Sequence, residues 1–179
     1  DTNQSRAKNK MGDEVVVVLS SLPWDFPCDY VKQTTLELAK QTKVLFLNPV
    51  YYPSLKDLIM DRKKVSLRGA KTNGVKIYFF PSIAYIPFKR WKIIEMLNHE
   101  INNRLLRVYY WLKFGKTRPI MWVLNYDVAE VIDKYKWGKT MVYDRVDQPA
   151  SVDSNEADIK RRADTALIKA ADFIFVNSP

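Results

Sequence analysis

Residues 14–20 read EVVVVLS. Successive side chains of a strand point to opposite faces, so an unbroken run of four valines and a leucine leaves no face for water. Such a run suits a strand buried on both sides, as at the centre of a parallel sheet. Working outward, KVLFLN at 43–48 is a second run of this kind, which Pro49 is expected to stop. Between them lie the loop SLPWDFPCD, broken by Pro23 and Pro27, and a helix predicted over about 30–42. Asp29 is its expected N-cap, with Val31, Leu36, Leu38 and Ala39 among its apolar positions.

The alternation continues. Residues 54–61 read as a short helix, and 65–67 and 75–80 (VKIYFF) as strands around a turn at Asn73-Gly74. The longest periodic segment is 88–114, FKRWKIIEMLNHEINNRLLRVYYWLKF. Trp91, Ile94, Leu97, Ile101, Leu105, Val108 and Leu112 recur at steps of three and four, which predicts a helix packed on the sheet by that stripe and stopped at Gly115. A strand at 119–125 (PIMWVLN), a helix at 127–136 ending near Gly138, and a strand at 140–146 (TMVYDRV) follow. A helix at 153–171, capped by Ser151 or Asp153, and a strand at 172–177 (DFIFVN) complete the pattern. The expected fold class is α/β, a Rossmann-like and mainly parallel sheet with helices on both faces. Ligands of such sheets bind beyond the carboxyl ends of the strands, which directs attention to 20–29, 48–52, 125–127, 144–148 and 177–179.

Composition narrows the classes. Of 179 residues, 47% are hydrophobic and 13% aromatic, enough for a core and against disorder over most of the chain. Residues 1–12 are polar and aperiodic and are expected to be a disordered tail or an appended remnant, leaving 13–179 as one domain. One Cys and one His exclude a disulfide framework and leave too few ligands for zinc, so no metal site is expected. No apolar run approaches the roughly 20 residues of a membrane span, and the expected location is cytoplasmic. The net charge of +9 is concentrated in the middle: +5 over 56–76 and +6 over 89–118, against −2 over 127–179. A basic region of this kind favours nucleic acid, anionic membrane or phosphorylated ligands.

Several chemistries lack their residues. No glycine stands between Gly12 and Gly69, so the first strand-to-helix loop has no dinucleotide fingerprint and no NAD or FAD is expected. There is no P-loop and no G-x-S-x-G, and the lone His99 falls inside a helix, which leaves a hydrolase triad without its base. Trp24 and Asp25, between two prolines at a strand mouth, fit either a loop packed over the sheet end or a sugar platform with a hydroxyl acceptor. Tyr143-Asp144-Arg145-Val146-Asp147-Gln148 places two carboxylates and a guanidinium at a strand terminus. Its readings are a structural Asp–Arg pair with a local turn, or a polar ligand site facing a cleft; a metal cage lacks further acidic residues.

The stretch MVYDRVDQPASV, then a helix, then ADFIFVNSP resembles the "YD-x-VD … helix … AD" region of bacterial glycosyltransferases of the GT-B fold, family-4 type. The beginning is similar as well: VVVVLSSLPWDF, a helix containing TTLELAKQTKVLFLNP, then a Pro/Tyr-containing loop. The resemblance covers about 14–179 and implies the N-terminal, acceptor-side half of a two-domain enzyme. A C-terminal donor-binding domain would lie beyond this chain. It implies transfer of a sugar from a nucleotide-diphosphate donor to a hydroxyl acceptor, a glycan or lipid-linked glycan, with retention and without an obligatory metal or other cofactor. It points to Asp144 and Asp147 as acceptor orienters or bases, and to Trp24, Asp25, Asn125, Tyr126 and Arg145 as acceptor contacts. The sequence departs from the pattern where Asp164 replaces a frequent Glu, where the first loop lacks glycines, and where Asn125 or Tyr126 stands in place of a His.

The basic segment carries a separate expectation. Lys89, Arg90, Trp91, Lys92, Arg104, Arg107 and Trp111 mix cations with interfacial aromatics. They fit a core helix with solvated charges, or a surface docking on an anionic membrane at the inner face of the plasma membrane. The alternative from another class is a basic nucleic-acid- or phosphosugar-binding module without catalysis. Nucleic acid is disfavoured by the absence of helix-turn-helix, RRM and KH patterns.

Overall fold

Val15–Leu19 forms strand β1, and none of its five residues is more than 4% exposed. A strand can be that dry only if it has neighbours on both edges and layers on both faces. The computed structural model describes residues 14–52, 70–72, 74–85, 92–145 and 154–176. After β1 come α1 (Asp29–Gln41), β2 (Lys43–Tyr52), β3 (Ala70–Thr72), β4 (Val75–Tyr85) and α2 (Lys92–Phe114). Then follow β5 (Ile120–Val123), a 3₁₀ helix (Tyr126–Tyr135), β6 (Thr140–Arg145), α3 (Ser154–Ala170) and β7 (Phe173–Val176). The strands form one sheet in the order β3-β4-β2-β1-β5-β6-β7. Six of them run parallel, and β3 pairs antiparallel to β4. The fold is α/β and Rossmann-like. The chain leaves β1 in one direction to β2 and β4, then crosses back to β5 on the other side, so the topological switch point lies between β1 and β5.

The pleat divides the core. Val16 and Val18 face α1 together with Phe46, Ile77 and Val31, while Val15, Val17 and Leu19 face Leu106 and Tyr110 of α2 and Leu167 of α3. Each fully buried Val or Leu stabilises the fold by about 1.5–3 kcal/mol, which makes these five residues a dense source of stability. Helices thus cover both faces, α1 on one and α2, the 3₁₀ helix and α3 on the other.

Several boundaries differ from the sequence expectation. The N-cap of α1 is Cys28, without a side-chain capping bond, and Asp29 is the first helical residue. Strand β2 runs through Pro49 to Tyr52. β1 ends opposite Leu47, so beyond that point β2 is paired only with β4 and has an open side, where a sheet tolerates proline. A short strand at 70–72, which the sequence did not point to, pairs antiparallel with the start of β4, Thr72 opposite Val75. Gly74 has φ 80° and Gly115, which stops α2 as expected, φ 87°, both in the left-handed region. The helix expected at 127–136 is a 3₁₀ helix over Tyr126–Tyr135. At about 2 Å per residue it advances further than an α-helix, as a short return from the end of β5 to the start of β6 requires. The expected elements at 54–61 and 65–67 and the tail at 1–12 lie outside the described residues.

The largest correction concerns α2. Its sheet-facing side is Asn102, Asn103, Leu106 and Tyr110, with Tyr109 and Phe114 half-buried. Phe114 packs edge-on against Tyr78 at 5.1 Å, and Tyr109 against Phe80 at 5.6 Å. Asn103 is satisfied by the Trp137 indole N–H at 3.1 Å. The stripe expected to pack on the sheet points the other way: Leu97, Ile101, Leu105, Val108 and Leu112 are all more than half exposed. The aliphatic period was real, but an aromatic and amide stripe opposite it won the sheet.

Tyr135 ends the 3₁₀ helix inside the core, and burial pushes its phenol up to about 12. A raised folded-state pKa stabilises the fold below the unfolded value near 10, and that stability is lost as pH rises toward 12. By pH 11 the loss through Tyr135 should be about 1.4 kcal/mol. Urea unfolding at pH 8 and pH 11 of the parent and of Tyr135→Phe should therefore show the variant losing less stability by about that amount.

Candidate functional site

The carboxyl ends of β1 and β5 meet at the switch point, and side chains from both bridge it. Ser20 Oγ accepts the Leu22 N–H at 3.0 Å and donates to Asn125 Oδ1 at 3.0 Å. One residue on, Ser21 Oγ donates to Asp127 Oδ2 at 2.9 Å. The Leu124 N–H reaches the Leu19 carbonyl at 3.1 Å and extends the ladder to the rim. From β2, Asn48 Oδ1 accepts the Trp24 backbone N–H at 2.8 Å, which ties the Pro-rich loop over the sheet end. The rim is thus built of hydroxyls, amides and a carboxylate contributed by three strands.

Trp24 is a wall of this rim. Its ring packs edge-on against Phe46 at 5.4 Å and tilted against Phe79 at 5.3 Å. Asp25 lies beside it, exposed, in a turn closed by the Phe26 N–H to Pro23 carbonyl bond at 2.9 Å. Tyr126 begins the 3₁₀ helix, and the Lys160 ammonium of α3 lies 5.9 Å from its ring centre. Lys160 is bonded to Glu156 at 2.5 Å. That bond first, and the Tyr126 hydroxyl next among the raising causes, hold the ammonium above its ordinary range against desolvation. Both Lys160 and Glu156 lie in the first turns of α3, beside the strand ends.

The Tyr143-Asp144-Arg145 string does not act as one cluster, because consecutive strand residues alternate faces. Asp144 is buried on the α1 side and accepts the Trp122 indole N–H at 3.2 Å; Trp122 in turn stacks on Phe175 at 5.4 Å. Arg145 faces α3, where its Nε and Nη2 donate to Asp164 at 3.0 and 2.7 Å in a bidentate pair. The Tyr143 hydroxyl donates to the same carboxylate at 2.8 Å, and burial followed by the Asp164 hydrogen bond pushes that phenol far above its ordinary range. The expected Asp–Arg pair exists, but its carboxylate comes from α3. Asp147 lies outside the described residues.

The structure therefore brings Asn125, Tyr126 and the loop of Trp24 and Asp25 to one rim, and sets Asp144 and Arg145 on opposite faces beside it. Ser20, Ser21, Asn48, Asp127 and Lys160 were not singled out from the sequence, although all but Lys160 fall in or beside the strand-end segments it pointed to. Their hydrogen bonds join residues as far as 106 positions apart, which no local pattern carries. Lys160 and Glu156 read as an ordinary i,i+4 helix pair. Asp164 did have a signal, since it interrupts the buried positions Ala157 and Leu167 of α3.

Among the described residues, no three His, Cys, Asp or Glu side chains converge to hold a metal, and no helix is long and apolar enough to cross a membrane. The arrangement offers hydrogen bonds to hydroxyl-rich or phosphorylated molecules. Compared with protein-family models, curated proteins and solved structures, the chain finds no match in any of the three.

Asp164 holds two partners at once, buried Tyr143 and partly exposed Arg145, and its own side chain is 7% exposed. Removing one member of such a pair strands the other, at about 2–3 kcal/mol here given the partial exposure of Arg145. Asp164→Ala should lower the urea midpoint by about 1–1.5 M at an m-value near 2 kcal/mol/M. An unchanged midpoint would show that the Tyr143–Asp164–Arg145 network carries no stability.

Proposed function

We propose that this chain is the acceptor-side domain of a two-domain GT-B glycosyltransferase, which passes a sugar from a nucleotide-diphosphate donor to a hydroxyl acceptor. The observation that supports it best is the rim at the β1/β5 switch point, where Ser20, Ser21, Asn125 and Asp127 form one hydrogen-bonded set beside Trp24. Hydroxyl, amide and carboxylate groups beside an aromatic wall are what an acceptor sugar requires for orientation. The β1–α1 loop fits this division of labour. It has no glycine, and nine residues (20–28) separate β1 from α1, so the helix N-terminus makes no close phosphate cradle at the strand end. The donor diphosphate is accordingly assigned to a partner domain.

In this reading Asp127, poised by Ser21, joins Asp144 and Asp147 as a carboxylate that orients or deprotonates the acceptor hydroxyl. Arg145 is a positioning residue, occupied by Asp164, and Lys160 sets a cation beside Tyr126. Steady transfer also requires stabilisation of the departing diphosphate, which this domain does not supply.

The test is release of nucleoside diphosphate from a panel of nucleotide sugars with glycan and lipid-linked acceptors. A polypeptide joining this chain to its donor domain should turn over, and Asp127→Asn should lower acceptor-dependent turnover by about 10–100-fold. The 179-residue chain alone should release nothing. Steady release by this chain alone, or full activity in Asp127→Asn, Asp144→Asn and Asp147→Asn alike, would contradict the proposal.

A further inference from the structure

We infer that the outer face of α2 docks on an anionic membrane surface and seats a lipid headgroup phosphate in a cavity at its C-terminal end. The inference rests on the helix and the cavity, not on the chemistry at the strand ends.

The first observation is the exposed stripe. Ile93, Leu97, Ile101, Leu105, Val108 and Leu112 recur at steps of four and three along one side of α2, and Ile93 and Leu112 are 76% and 72% exposed. This side lies opposite the buried Asn102, Leu106 and Tyr110. A helix in water keeps one apolar face for its core; a second, continuous along the helix, needs a second apolar phase.

Charge selects that phase. Residues 101–118 hold Arg104, Arg107, Lys113, Lys116 and Arg118 and no carboxylate. Glu95 and Glu100 lie in the N-terminal half of α2; beyond them, apolar residues, an exposed Trp111 and flanking cations form the signature of a helix lying in the interface of an anionic bilayer. A second copy bound through the same stripe would bring this cationic segment toward its own symmetry mate.

The second observation is the cavity of about 740 Å³ where α2 turns into β5. Arg104, Arg107, Lys116 and Arg118 line it with Trp111 and Trp137, and no carboxylate does. Arg104 is paired with Glu100 at 2.7 Å, but the other three cations have no carboxylate partner among the described residues. Arg107 lies 5.9 Å from the Trp137 ring centre, and Arg118 is anchored on the carbonyls of Lys136, Trp137 and Gly138, which fix it without neutralising it. Val108 belongs to both the stripe and the cavity wall, and exposed Trp111 beside it lines the cavity too, so a bilayer that takes the stripe brings headgroups to the cavity. Of the cations expected from the sequence, Arg104 and Arg107 are on this surface. Lys92 opens α2, and Lys89, Arg90 and Trp91 lie outside the described residues.

The experiment is sedimentation of the purified chain with vesicles of phosphatidylcholine alone, or with phosphatidylglycerol in equal parts, at low and high salt. The chain should pellet with the anionic vesicles, much less with the neutral ones, and be partly released by salt. Arg107→Ala with Lys116→Ala should weaken anionic binding about 30-fold, a little over fivefold per cation. Ile101→Ser with Val108→Ser should weaken it further while leaving circular dichroism and the urea midpoint unchanged, because both side chains are exposed. Failure to bind anionic vesicles, equal binding to neutral ones, or unimpaired binding by either variant would overturn the inference. So would a stable dimer that Ile101→Ser with Val108→Ser dissociates, which would assign the stripe to a second copy. Inorganic phosphate competing fully while the stripe variant binds normally would assign the cavity to a soluble anion and overturn it too.

Discussion

The fold depends on the complete burial of β1. Val17, Val18 and Leu19 have no measurable exposure, and β1 is hydrogen-bonded to β2 on one edge and β5 on the other. A strand with no wet face must have a layer above and below it, and a parallel neighbour can be reached only by a crossover. From that one constraint follow α1 on one face, α2 on the other, and the reversal of the winding direction after β4, which brings β5 to the opposite edge of β1. The reversal opens the switch point, where the two flanking loops diverge and leave their polar side chains at a common rim.

Polar groups are rationed accordingly. Those buried around the strand ends are paired: Ser20 with Asn125, Asp144 with Trp122, and Asp164 of α3 with Tyr143 and Arg145. Each bond joins different elements, so the network that shapes the rim also fixes how the loops and α3 sit on the sheet. The apolar surface shows the opposite imbalance. It is in excess on the outside of α2, and on β7, where Phe173, Phe175 and Val176 are all more than half exposed. On α2 the excess coincides with a run of positive charge, the pairing of features on which the membrane inference rests.

Much of the fold was legible because burial on both faces leaves a local trace. EVVVVLS and KVLFLN state it directly, and Gly74 and Gly115 mark element ends through their left-handed backbone conformation. Less legible was anything decided by a neighbour distant in sequence. Pro49 looks like a strand end until β1 is known to stop opposite Leu47. The two sides of α2 are both periodic, and only packing against Tyr78, Phe80 and Trp137 shows which one the sheet takes. The YDRVDQ string suggested one charged cluster, whereas the pleat separates Asp144 from Arg145 and the partner of Arg145 arrives nineteen residues later. Strand-end segments located the candidate site; which side chains meet there required the three-dimensional register.

Among the described residues, β1 is the innermost strand of a doubly wound sheet and β7 is an edge. Amide hydrogen exchange tests it residue by residue, since the most protected amides report the elements that open only with global unfolding. Val16–Leu19 should exchange most slowly, together with their partners Val44–Leu47 and Met121–Val123, and Phe173–Val176 should exchange far faster. Exchange of Val16–Leu19 at the rate of Phe173–Val176 would contradict the strand order, and with it the switch point on which the site is built.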